Sequence, residues 1–326
     1  MKQRRVVLKD IADRVGLTVN TVSRALKNKE DISLATRQEI QRIAIEMGYI
    51  PDAVASSLRS GSTKVIGIMY DNIANPYFMI MIEILHQKLH DVGYEIMIFT
   101  SFGDRSKLNV EVFNLMAARR LDGIITFLKP NRDVVHLAKK NGIPMVILGR
   151  EGEDIGVDSV YTNDVQGGSI MGEYLYKNGH RNVGYIGVPN DILCSVQRAQ
   201  GLINYYQKQG IDIPEDHIRY MEHFEDSLRQ QIDYLIARGV TAIFCFNDSM
   251  AYESMVYIKQ VYPDKNIEVT GYDYIGERLI IPVGLTTIGT NKRAMIDDAV
   301  YVLLRRMKEP DAEVITKVHE TFLVKI

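Results

Sequence analysis

The sequence predicts an all-helical head over residues 1–50, a linker over 51–62 and a two-lobed α/β core over 63–326. Two observations carry this expectation. In the head, apolar side chains recur at helical spacing in three short runs. Beyond residue 64, short apolar runs alternate with longer amphipathic segments, in two series that divide near residue 160. A chain of 326 residues also exceeds what one ordinary core organises, so two or three domains are expected.

The first helix is expected from Leu8 to Val15, with Leu8, Ile11, Ala12 and Val15 on one face and Gly16 as its stop. Thr18 suits the N-cap of a second, Val19 to Leu26, with Val22, Ala25 and Leu26 inward. Ser33 caps the third, which buries Ile40, Ile43, Ala44 and Met47 and stops at Gly48. Pro51 then breaks the chain. DAVASSLR after it can form one or two helical turns, too few to stand alone in water, and SGST reads as linker. In the core the expected strands are VIGIMY (65–70), EIMIFT (95–100), GIITFL (123–128), MVILG (145–149), VGYIGV (183–188), AIFCF (242–246) and IEVTGY (267–272). They are continuous apolar runs, as parallel strands covered on both faces should be. The two series imply two doubly wound parallel sheets with a cleft between them.

Net charge is only -2, but residues 1–64 hold 12 basic and 7 acidic side chains, leaving the remainder at -7. A basic head on an acidic body fits a polyanionic partner, though a chance ripple of charge gives the same count. Cys194 and Cys245 lie in no Cys-x-x-Cys pair and beside no His at ligand spacing, and read as thiols of a reducing cytosol. MKQRRVVLKD has no apolar run to make it a secretory signal, and no stretch is long and apolar enough to span a membrane. A cytoplasmic protein is expected.

Two helices joined by a short glycine-containing turn make a helix-turn-helix, whose second helix enters the DNA major groove with its N-terminal residues at the base edges. Those residues are Thr18, Val19, Asn20 and Thr21. Asn pairs bidentately with adenine, and Val touches a thymine methyl. Ser23 and Arg24 suit phosphate contacts. Periodicity alone also fits a plain helical hairpin. The literal string is more specific: KDIA, VGLT, TVSRAL, the ISLATR start of the third helix and GYIPD together closely resemble the head of the LacI/GalR family of bacterial regulators.

The resemblance implies more. In that family the linker becomes a hinge helix on operator DNA, in a dimer, and a leucine wedges into the minor groove; Leu58 stands at that place, unless it packs on the core. Two positions depart from the family: Val7 replaces a helix-capping Thr, and Ser56 stands where an Arg often reaches the DNA. The core is similar to periplasmic sugar-binding proteins through DNIANPYF (71–78), GGSIMGEYLYKNGHRNVGYIG (167–187), QRAQGL (197–202), FNDSMA (246–251), TGYD (270–273) and LTTI (285–288). The family's chain crosses between lobes three times. This places lobe one at about 63–160 plus 289–321 and lobe two at about 161–288.

Residues at the carboxyl ends of parallel strands face the ligand cleft of such sheets. Tyr77, Phe78, Arg150, Arg198, Asn247 and Asp273 fall there, and Phe224 lies where the family often has a stacking aromatic. Arg, Asn and Asp between aromatic faces suit sugar hydroxyls or a nucleobase-like ring. By resemblance Arg198, Asn247 and Asp273 are the leading contacts. Alternatives stay open: Tyr77 and Phe78 as lobe core, Arg150 paired with Glu151, Asp248 as a helix cap. The family's Asp-Asn pair is replaced by Asn163-Asp164, which leaves contacts there open.

No catalytic constellation is present: there is no P-loop, no His-Glu-x-x-His and no Gly-x-Ser-x-Gly, and Gly167-Gly168 does not make a dinucleotide fingerprint. The expectation is therefore a repressor without enzymatic activity, cofactor or metal. Its partners would be double-stranded operator DNA, a small polar effector and a second copy of itself, with room for a co-regulator protein. A transporter-feeding solute-binding protein would explain the core but not the head, and a sugar-modifying enzyme would need a nucleophile or base that is not seen.

Overall fold

The computed structural model describes residues 4–51, 61–71, 74–100, 107–189, 191–221, 227–278 and 283–325. Ser56, Leu58 and Phe224 lie outside the described residues. The chain divides into two compact units, 1–63 and 64–326.

The head holds three helices: α1 (Leu8–Val15), α2 (Val19–Leu26) and α3 (Leu34–Glu46). Ile11, Ala12, Val22, Ala25, Ile40 and Ala44 form its core. Gly16 ends α1 in a left-handed conformation (φ 69°), which a residue without Cβ adopts at little cost. Val7 gives α1 no side-chain cap; Asp10 compensates from within the first turn, its carboxylate accepting the Val7 N–H at 2.8 Å. Thr18 and Ser33 cap the other two helices as expected, accepting the N–H groups of Thr21 and Thr36.

In the core, strands and helices follow as β1 (Val65–Tyr70), α4 (Pro76–Asp91), β2 (Glu95–Thr100), α5 (Val110–Ala117), β3 (Gly123–Thr126), α6 (Arg132–Lys140), β4 (Met145–Leu148) and β5 (Asp158–Thr162). The second series is α7 (Asp164–Lys177), β6 (Val183–Gly187), α8 (Leu193–Lys208), β7 (Ile218–Tyr220), α9 (Leu228–Ala237), β8 (Ala242–Cys245), α10 (Asp248–Val261), β9 (Glu268–Tyr272) and β10 (Thr286–Thr290). Helix α11 (Lys292–Lys308) and strands β11 (Thr316–His319) and β12 (Thr321–Val324) end the chain.

Two six-stranded sheets result, ordered β11-β5-β4-β3-β1-β2 and β12-β10-β9-β8-β6-β7. The backbone passes between lobes at 162–164, 290–292 and 319–321: α11 packs on the first sheet through Met295, Ile296, Ala299 and Leu303, and β12 joins the second. Two features differ from the expectation of buried, all-parallel strands. Strand β12 runs antiparallel to β10, because β10 leads out of the second lobe toward the crossing at 290–292 and β12 leads into it from the crossing at 319–321. The run EIMIFT forms the edge strand β2, so Met97 and Ile98 stay exposed. Strands β5, β7, β10 and β11 carry no long apolar run; they take their places by pairing. Among the described residues no helix is long and apolar enough to cross a membrane.

Candidate functional site

In the head, Thr18, Val19 and Asn20 are exposed at the N-terminal end of α2, and Thr21 and Ser23 are half-buried. The Thr18 hydroxyl lies 2.9 Å from that of Thr21, which orders both side chains at the helix start. Val22 and Ala25, buried on the opposite side, fix which way this end faces. Arg24 is engaged: its guanidinium pairs with Asp31 at 2.5 Å, in the loop between α2 and α3. That loop is held in turn by Arg37, which donates to the Asn28 carbonyl at 3.0 Å.

In the core, the chain reverses its strand order at β1 and at β6, and the carboxyl ends of the neighbouring strands open into one cavity of about 190 Å³. Six of the seven expected residues line it: Tyr77, Phe78, Arg150, Arg198, Asn247 and Asp273. Phe78 also serves the lobe, meeting Tyr70 and Phe127 at ring centroid distances of 5.5 and 5.2 Å. Asn247 has two tasks, since its Oδ1 caps α10 by accepting the Met250 N–H at 2.9 Å.

Arg198 is the centre of the site. It is buried, donates from Nε to Asp164 at 2.7 Å and from Nη1 to the Phe246 carbonyl at 2.6 Å, and lies 3.8 Å from Asp273. Its guanidinium stacks over the Tyr272 ring at 3.5 Å and the Phe246 ring at 4.5 Å. A guanidinium carries five N–H donors in a rigid fork, so donors remain for a ligand.

Asp273 is held on a costly backbone. It has φ 101° and Tyr274 has φ 50°, both in the region that favours glycine. The chain is fixed on either side. Asp273 N–H donates to Ile288 O at 2.8 Å, the Tyr274 carbonyl accepts from buried Lys292 at 3.0 Å, and Ile275 N–H donates to Asp248 at 2.9 Å. Ile275 itself inserts into the core of the first lobe. Burial pushes the Asp273 carboxyl up to about 7, against the pull of Arg198, with the nearby charge of Asp248 adding to the rise. Asp248 is likewise raised by burial, to about 6, although Thr287 and Ile275 donate to it. Asn247, not Asp248, caps α10, and the buried Asp248 carboxylate accepts from the Ile275 N–H and the Thr287 hydroxyl, tying three segments together.

Sequence reasoning missed several contributors. Asn163 caps α7 and Asp164 opens it, so the order Asn-Asp puts the carboxylate, not the amide, against Arg198. Gly168 and Gly201 let α7 and α8 cross almost backbone to backbone: a Cβ on Gly201 would lie 2.1 Å from Val165 O, and one on Gly168 2.0 Å from Arg198 O. The pair of glycines at 167–168 was the visible signal. Cys194 also lines the cavity, its thiol pushed up by burial and so kept protonated. Across the cavity the lobes are linked where Gln197 donates to Glu151 at 2.8 Å.

A three-helix head with its second helix end exposed, and a separate two-lobed core whose inter-lobe cavity is lined by aromatic and charged side chains, define a ligand-responsive DNA-binding regulator. Residues 7–52 match the family "Bacterial regulatory proteins, lacI family", and residues 63–261 match "Periplasmic binding proteins and sugar binding domain of LacI family". The chain belongs to the LacI family and is a DNA-binding transcriptional repressor with an effector-binding core, not an enzyme. It is 28% identical over 313 residues to the HTH-type transcriptional repressor PurR of Photobacterium profundum, spanning 94% of this chain and 93% of that protein. The fold is similar to that of the lac repressor dimer bound to operator and the anti-inducer ONPF (TM-score 0.80, 22% identity, 99% and 98% of the two chains). It is also similar to that of the regulator CelR in complex with cellobiose (TM-score 0.69, 23% identity, 98% and 99%).

Proposed function

We propose that the head reads operator DNA through Thr18, Val19, Asn20 and Thr21. Ser23 and Arg24 would meet phosphates, with Arg24 exchanging Asp31 for the DNA backbone, and Ser56 and Leu58 would enter the minor groove from a hinge over residues 51–62. The protein works in the cytoplasm as a homodimer, because one head covers a half-site and operator symmetry mirrors protein symmetry. The exposed Met97 and Ile98 on edge strand β2 are apolar surface of the kind a second copy covers.

The effector is a small polar ring compound, a sugar or sugar derivative, held between the lobes. The observation that carries this reading is the Asp164–Arg198–Tyr272 arrangement with the Asp273 carboxylate beside it. A rigid donor fork and an acceptor stand among the aromatic faces of Tyr77, Phe78, Phe127 and Phe246. The cavity of about 190 Å³ is below the roughly 300–1,000 Å³ of drug-sized sites, which favours a single ring over an oligosaccharide. Ligand closing the cleft would bias a two-state equilibrium of the lobes and thereby the heads.

A thermal-shift panel of monosaccharides, sugar phosphates and free nucleobases tests this, since a ligand of the folded state raises the melting temperature. A sugar that stabilises the wild type but not Arg198→Lys or Asp273→Ala supports the reading. Stabilisation by nucleobases alone would replace the sugar with a purine or pyrimidine. Operator titrations with and without the hit then give the sign of regulation.

A further inference from the structure

A second cavity lies at the other end of the first lobe. It measures about 430 Å³, more than twice the effector cavity, and falls within the roughly 300–1,000 Å³ of small-molecule sites. It opens at the amino ends of β4 and β5, whereas the effector cavity opens at carboxyl ends, and the two share no lining residue. Its walls draw on both apolar clusters of the lobe: Val135, Ala138 and Val157 belong to one, with Ile143 packed on it, and Met307 packs on the other.

The floor is fixed before any ligand arrives. Arg306 donates to Asp158 at 2.8 and 2.9 Å, and to the carbonyls of Pro310, Ala312 and Glu313 at 2.9, 2.5 and 3.0 Å, which commits all five of its N–H groups. Asp158 also accepts the Ile315 N–H at 2.8 Å, so the loop after α11 is tied to the start of β5. This pair answers its own charge and leaves the recognition of a ligand to others.

Two other charged side chains line the cavity, Lys139 and Asp311, and among the described residues neither forms an ion pair. Both are exposed, so they stand at its mouth. The Lys139 ammonium reaches to Gly156, 3.6 Å from where a Cβ there would lie. Asp311 is on the turn after α11 and acts on Arg306 only through space. A ligand with an apolar body thus meets one cation and one anion. A carboxylate alone would face Asp311 and an amine alone would face Lys139, whereas a zwitterion answers both. We propose that this cavity is a second ligand site, for a free α-amino acid with an apolar side chain: its carboxylate on Lys139, its ammonium on Asp311 and its side chain against Val135, Ala138 and Met307.

Calorimetric titration of L-leucine, L-methionine and L-phenylalanine into the full-length protein tests the proposal, beside the N-acetyl and amide derivatives of each, which lack one charge. At least one amino acid should bind, and more tightly than both of its derivatives. Lys139→Ala and Asp311→Ala, both surface changes, should each weaken that binding by about fivefold, the upper end of what an exposed ion pair contributes. Ala138→Leu should fill the cavity and abolish binding; melting temperatures without ligand show whether it folds, and where it does not the two surface variants decide. Asp273→Asn, in the effector cavity, should leave amino-acid binding unchanged, which keeps this site distinct from the effector reading. No binding of any of the three amino acids, equal affinity for a derivative, unchanged affinity in both Lys139→Ala and Asp311→Ala, or loss of binding in Asp273→Asn overturns the proposal.

Discussion

Replacing Gly201 with Ala should unmake the effector site without touching it. The new methyl would stand 2.1 Å from Val165 O, 2.7 Å from Ser169 N and 2.9 Å from Gly168 C, all backbone atoms of α7. No rotamer relieves this. The two helices must part by roughly 1 Å to restore ordinary contact, in an interior packed at crystal-like density. The Asp164–Arg198 bond spans the same crossing at 2.7 Å, and a 1 Å shift takes it past hydrogen-bonding range. Overpacking costs about 1–3 kcal/mol and a broken buried ion pair about 3–5, so a loss of about 3–5 kcal/mol is expected if the pair is only partly broken. For a unit of this size that lowers the melting temperature by roughly 6–20 °C, at 2–4 °C per kcal/mol. Circular-dichroism melts should be compared with Gly142→Ala, whose site is left-handed (φ 63°) but open, and which should cost only about 1–2 kcal/mol. A melting temperature for Gly201→Ala no lower than that of Gly142→Ala would refute the close-crossing argument.

Three further outcomes are expected. Asp273, raised to about 7 in the folded protein from an ordinary value of 3.8, binds an extra proton between those limits, so its contribution to stability worsens as pH rises across that window. Asp273→Asn should accordingly raise the melting temperature at pH 8 and gain little at pH 4; an equal gain at both would contradict the assignment. Val7→Thr adds the missing acceptor at the start of α1 and should stabilise the head by about 1 kcal/mol, read from urea unfolding of the head's helical signal. Asn20→Ala should weaken operator binding by about 1–3 kcal/mol and relax the preference at one base pair, whereas Arg24→Ala should weaken all sequences alike and flatten the salt dependence; selection from a random-site library reads both.

The head was legible almost to the residue: α1 and α2 begin and end where periodicity, Gly16 and Thr18 place them, because short helices packed on one small core obey local rules. The apolar strands were legible for the same reason. Strands β5, β7, β10 and β11 were not, since polar residues such as Thr287 and Thr290 can be buried once a sheet neighbour satisfies the backbone and an acceptor satisfies the hydroxyl, the Asp248 carboxylate for Thr287 and the Glu320 carbonyl for Thr290. The cavity's rim was found from strand ends. Its supports were not: Asp164, Tyr272 and Lys292 act through residues 18 to 74 positions away, and no local pattern announces such pairs.

The sequence by itself therefore determined the helix-turn-helix head, the two series of strand–helix units and the strand ends where a ligand would be met, because these follow from periodicity, capping and turn chemistry along the chain. Only the tertiary structure decided that Asp164 rather than Asn163 meets Arg198, that Asp248 braces the loop bearing Asp273, and that paired glycines bring α7 and α8 into near contact. These depend on which distant segments share a buried space, where an unpaired charge is too costly to leave and a single methyl is too large to admit.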